Sequence, residues 1–371
     1  MNPFPHVDPI PLPAPVWLFK ALHVVTLSLH FLAVELLLGG LLVAAWLNLR
    51  GAGGAGPTAS SRRDAAASLA RRLPVVMTYV INLGVPPLLF AQVLYGRALY
   101  TSSILIGAYW IAVIGLLMAC YWVLYRFAAG ATAGRAVWWQ GLLAWVLAGA
   151  IARIYSTNMT LMLRPEVWGS MYAASPSGTH LPPPDPTLTP RWLLMLVGGF
   201  VMTGLWMVWL AGRSRSIEEP VRAYLARSGG RLALVAGIIQ VLVAVWAVRA
   251  QPDEVVSGVM NRPWFQAGGY LWIAGMAAIL ALGGWSGFAK ANRGPAAWFA
   301  LGVAVATMLG FTLFRDGVRD VTLAMKGFDV WDRAVYANWT VVGLFLVLFV
   351  VGLVAVGWLI SVMLRAKPVS E

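Results

Sequence analysis

Nine apolar stretches of roughly bilayer length leave this 371-residue chain few ways to fold. A transmembrane helix needs about 20 consecutive apolar residues, and in hydrocarbon every backbone polar group must find its partner within the protein. The stretches lie near residues 17–48, 74–99, 103–126, 137–155, 191–211, 232–250, 265–289, 295–314 and 337–364. Charged residues make up 11% of the chain, whereas soluble domains carry about 25%. The expectation is an all-α, polytopic membrane helical bundle of about nine transmembrane helices. It forms one integral membrane domain over residues 1–371: a proline-rich N-terminus (1–16), helices one to four (17–155), a loop (156–190), helices five to nine (191–364) and a tail (365–371). Pro86 and Pro87 predict a kink in the second helix, because two N–H donors are missing there. Gly39-Gly40 and Gly198-Gly199 should let backbones approach closely.

Orientation follows from the basic residues in the connections. The segments 49–73, 126–136, 212–231, 290–294 and 365–371 hold most of the 27 Lys and Arg, including Arg62, Arg63, Arg71, Arg72, Arg215, Lys290 and Lys367. Against these stand only Asp64, Glu218, Glu219 and Glu371. That face should be cytoplasmic, with the N-terminus outside and the C-terminus inside a multi-pass protein of the cytoplasmic (inner) membrane. The net charge of +13 therefore reflects membrane orientation, and nucleic acid is not an expected partner. The single cysteine, Cys120, excludes an internal disulfide, and the lack of Cys-x-x-Cys-His excludes c-type haem. Met1 to Pro15 has no basic n-region, so a cleavable signal is not expected.

Chemistry should sit near the histidines. Of four in the chain, His23 and His30 fall in the first apolar stretch, followed by Glu35. Seven residues is nearly two helical turns, which puts both imidazoles on one face roughly 10 Å apart. Such groups are costly in lipid and usually face the bundle interior. His6 and His180 lie in proline-rich segments and should be solvated. Two further groups gather at the outer ends of helices four and eight. The first comprises Arg153, Asn158, Met159, Met162, Arg164, Glu166 and Trp168. The second comprises Arg315, Asp316, Arg319 and Asp320, whose i,i+4 spacing places like residues on one side of a helix. Convergence of the charged residues above the histidines would let forked guanidinium bonds hold an anionic group or a quinol oxygen. The plainer alternative is an interfacial charge cluster. Tyr95, Arg97 and Tyr100 read as interfacial anchors, and the methionines mainly as packing.

The stretch His30-Phe31-Leu32-Ala33-Val34-Glu35-Leu36-Leu37-Leu38-Gly39 resembles the first helix of subunit I of the cytochrome bd-type quinol oxidases. Asn82-Leu83-Gly84-Val85 and the Asn158-to-Met162 segment running into Pro165 resemble two further motifs of that family, so the similarity covers mainly residues 17–165. The resemblance implies nine helices, an outer N-terminus, a b-type haem with His30 as axial ligand, and quinol as electron source. Unlike the family, helix three has no carboxylate and helix five no histidine. What is implied is a quinol-linked oxidoreductase subunit rather than a complete oxygen-reducing oxidase. It would exchange electrons between membrane quinol and an outer-face c-type cytochrome or iron–sulfur partner, using haem iron at His30 or His23. A haem-free quinone subunit, with His30 and Glu35 taking protons, is one alternative. A proton- or ion-coupled transporter and a structural anchor are the others.

Overall fold

The computed structural model describes residues 4–5, 10–214, 216–289 and 293–365, so His6, Arg215, Lys290, Lys367 and Glu371 lie outside the described residues. The helices are α1 (Val16–Ala52), α2 (Pro57–Ala70), α3 (Leu73–Leu105), α4 (Gly107–Thr132), α5 (Trp138–Leu161), α6 (Trp168–Ala174), α7 (Leu188–Arg213), α8 (Glu219–Arg249), α9 (Asp253–Met260), α10 (Pro263–Phe288), α11 (Arg293–Met325) and α12 (Trp339–Arg365). Among the described residues, nine spans are long and apolar enough to cross a membrane, with α2 and α3 counted as one run. No strand forms among them. The protein is an all-α helical bundle of the multi-pass membrane type.

Helix α1 is apolar nearly all round, as a helix in the middle of a bundle must be. It meets α2, α3, α5, α7 and α11. Lipid tails supply no hydrophobic drive between helices, so close approach depends on small residues. Gly39 of α1 faces the backbone of Gly199 on α7, and any Cβ added at Gly39 would collide with the Gly199 carbonyl. Gly204 of α7 fits α8 in the same way, because a Cβ there would fall 2.7 Å from the Gly229 carbonyl oxygen. Side chains such as Ile111 and Ile114 on α4, Leu242 on α8 and Leu344 on α12 are exposed apolar surface, suited to lipid.

The helices outrun their apolar windows. α5 continues to Leu161 and α11 to Met325, so Arg153, Asn158, Met159 and the run from Arg315 to Asp320 lie within helices, not beyond them as the sequence suggested. Asp316 and Asp320 find their charged partner, Lys20, across the bundle, while the backbone bonds stay internal to each helix. α8 starts at Glu219 rather than near 232, because Leu225, Gly229 and Gly230 are buried by neighbouring helices. The kink is also displaced. Pro86 and Pro87 keep helical angles, and the non-helical residue in α3 is Tyr95 (φ −123°, ψ 19°). Proline's fixed φ suits a helix, and the packed bundle holds the turn where the donors are missing.

One end of the bundle, where α1 begins, is closed by irregular chain. The amide of Leu12 donates to the Ala334 carbonyl at 2.8 Å, and that of Tyr336 donates to the Leu12 carbonyl at 2.9 Å. Phe4, Leu12, Trp168, Phe328 and Val330 form the apolar core of this cap.

Candidate functional site

Lys20, His23, Leu27 and His30 recur at three- and four-residue steps, so they line one face of α1. On α11, Asp316, Arg319 and Asp320 do the same. α3 supplies Tyr95, Pro87, Gly84 and Val80. The three faces meet just beneath the cap.

There the charged groups compensate one another. Lys20 Nζ pairs with the Asp316 carboxylate and lies 2.7 Å from Asp320 Oδ2. It also donates to the Tyr95 hydroxyl at 2.6 Å, which in turn donates to Asp320 Oδ1 at 2.7 Å. Arg319 Nη2 lies 3.3 Å from Asp316 Oδ1, and Nη1 donates to His23 Nε2 at 3.1 Å. From the cap, Trp331 Nε1 donates to Asp320 Oδ2 at 3.1 Å. Lys20, His23, Tyr95, Asp316, Arg319 and Asp320 are all buried. Removing such ions from water costs several kcal/mol each and is tolerable only with partners of this quality.

The two histidines have different environments. His23 Nδ1 sits 3.1 Å from the Pro87 carbonyl oxygen. A carbonyl only accepts, so Nδ1 carries the proton and Nε2 accepts from Arg319. Both nitrogens are engaged in this arrangement. His30 Nδ1 likewise donates to the Val80 carbonyl, at 3.0 Å. Its Nε2 is left as an acceptor with no hydrogen-bond partner among the described residues. His30 lines a cavity of about 340 Å³ together with Phe31, Val34, Gly84, Arg315 and Arg319. Gly84 makes room for the ring, since a Cβ there would lie 2.9 Å from His30 Cε1. His23 reaches the same wall.

This lining has the donor types that a b-type haem would need. It offers one imidazole with its tautomer set by a backbone carbonyl, thioethers at Met77, Met159 and Met195, guanidiniums at one end and apolar walls elsewhere. Those are the features by which proteins hold and tune haem iron.

The remaining expected residues separate. Arg164 donates to the Pro183 carbonyl at 2.6 Å and lies 3.5 Å from Asp185 Oδ2. Glu166 pairs with Lys326 at 2.8 Å. These form a surface network and do not join the buried one. Arg153 stacks over Trp192, 5.7 Å from its ring centroid. The full convergence expected from sequence is therefore corrected: Arg315, Asp316, Arg319 and Asp320 gather beside the histidines, while Arg153, Arg164 and Glu166 do not. Trp168 Nε1 donates to the Leu161 carbonyl at 3.0 Å and pins the end of α5. Asn158 donates to Ser103 Oγ at 3.2 Å. Met159 lines the His30 cavity, whereas Met162 belongs to the cap core. Glu35 is buried against Gly198 of α7 and does not line the cavity, so it shares no site with His30. His180 is exposed.

Lys20 and Trp331 escaped the sequence reading, and Tyr95 reads there as an interfacial anchor. Lys20 was detectable: an ionisable residue inside a span is a functional signal, and it stands one turn before His23. Nothing local separates Tyr95 from an interfacial tyrosine, or Trp331 from the other tryptophans.

No protein-family model matches the chain, and no curated protein is similar to it at a significant level.

Proposed function

We propose that the protein is a membrane electron-transfer subunit akin to the bd-type cytochromes, lying in the cytoplasmic membrane with its capped end outward. The observation that carries this reading is His30: one ring nitrogen anchored to Val80, the other held as an acceptor beside an apolar cavity. When bound, a b-type haem would supply one-electron chemistry there. His30 would hold the iron, and Arg319 would hold a propionate by a charge-assisted bond. Val80 keeps the imidazole in one tautomer and orientation, and the apolar walls exclude water. Electrons would pass between quinol in the bilayer and a c-type cytochrome or iron–sulfur protein docked on the cap.

A second reading keeps the cavity for a quinol ring without haem. Its support is the chain of hydrogen-bonded and ion-paired groups from His23 through Arg319, Asp316 and Lys20 to Asp320 and Trp331. Within it His23, Lys20, Tyr95 and the two carboxylates are the groups able to exchange protons, whereas Arg319 and Trp331 only donate and hold them in place. Reduced-minus-oxidised spectra of the purified, haem-replete protein separate the two. Soret and α-band changes support the haem reading. A flat difference spectrum, with quinol still protecting the protein from thermal unfolding, replaces it by the second.

A further inference from the structure

A second chamber of about 570 Å³ lies between α5, α7, α8, α10 and α11 at the capped end, within the usual range of small-molecule sites, about 300–1,000 Å³. Its walls are mainly apolar. Arg191, Arg315, Arg319, Arg249 and Gln251 stand along its lining. Val245, Val248 and Ile273 line it too and are exposed on the outside of the bundle, so the chamber opens sideways toward the lipid.

The charges around it do not cancel. Lys20 and Arg319 already engage the two buried carboxylates, Asp316 and Asp320, and neither carboxylate pairs with Arg191 or Arg315 among the described residues. Arg191 donates to a neutral partner, Gln251 Oε1, at 2.9 Å. Asp185 acts on Arg191 electrostatically, but its ion pair is with Arg164. Arg315 stacks 5.3 Å from the Phe31 ring centroid and has no carboxylate partner among the described residues. A half-buried charge without a counter-ion in contact is costly in a membrane protein, and the chamber has room for one. We propose that it is a lipid site: an acyl chain enters between α8 and α10, and its anionic phosphate headgroup lies against Arg191 and Arg315. A neutral quinone ring would leave the charge excess standing. Arg315 lines both cavities; its guanidinium is assigned to this chamber, leaving Arg319 to the haem of the proposed function.

The test uses the full chain in neutral detergent, with phosphatidylglycerol, phosphatidylcholine, palmitate or a short-tail quinone added separately. Native mass spectrometry reads bound lipid, and thermal unfolding reads stabilisation. Phosphatidylglycerol should be retained in preference to the other three and raise the melting temperature. Arg315→Gln and Arg191→Gln should each weaken its binding by ~10-fold or more, the loss expected of a charge-assisted bond. Ala244→Trp, which fills the chamber without touching a charge, should abolish retention, and it decides the matter if the arginine variants do not fold. Equal retention of phosphatidylcholine, preference for palmitate or the quinone, or unchanged binding in Ala244→Trp would overturn the proposal.

Discussion

Two charge networks occupy the same end of this bundle, within reach of the same helices, and burial alone makes them different. The inner one joins Lys20, Tyr95, His23, Asp316, Arg319 and Asp320 across α1, α3 and α11. The outer one joins Arg164, Glu166, Asp185 and Lys326 across the loops. Both look alike in sequence, as clusters of Arg with Asp or Glu near helix ends. Inside, each partner compensates a desolvated charge, so loss of one leaves another stranded. Outside, water and salt take up whatever a substitution releases. Function should therefore concentrate in the inner network, where geometry is enforced.

The difference can be broken experimentally. Lys20→Met should have the largest effect, about 3–5 kcal/mol of stability, because two adjacent buried carboxylates lose their common cation. The change should be read by thermal unfolding in detergent, and a loss under ~1 kcal/mol would mean that the carboxylates are protonated and the inner network is not ionic. Tyr95→Phe should follow, at about 1–3 kcal/mol, since one hydroxyl serves both Lys20 and Asp320. Gly84→Ala should cost about 1–3 kcal/mol by overpacking and push the His30 ring aside, which shifts any spectral band that depends on it. An unchanged band and stability would show that Gly84 does not seat the ring. Glu166→Gln should be smallest, about 0–1 kcal/mol, and should shrink further in high salt. A larger, salt-independent loss would make the outer network the equal of the inner one.

The membrane fold was legible because the bilayer demands long apolar helices, and nine such runs are visible without any tertiary information. The Gly39 and Gly199 contact was legible for the same reason: small residues are what helix packing in lipid requires. Helix ends were not. Apolar length marks where lipid stops, whereas α8 and α11 stop where their tertiary partners do, with Leu225 buried before the apolar run and Asp316 to Asp320 buried after it. The paired histidines of α1 were legible as inward-facing, but their separate environments were not. That difference depends on Arg319, nearly 300 positions away in sequence, and no local pattern encodes it. Lys20 was the readable signal that went unused.

The most direct measurement compares His30→Ala with His23→Ala in reduced-minus-oxidised spectra of haem-replete protein, at matched folding. His30→Ala should remove the Soret and α-band changes, because of the two imidazoles it deletes the one whose Nε2 has no hydrogen-bond partner among the described residues. His23→Ala should keep them, displaced in wavelength through Arg319, with lower stability from the lost guanidinium partner. Bands that survive His30→Ala but vanish in His23→Ala would contradict the assignment of these two side chains.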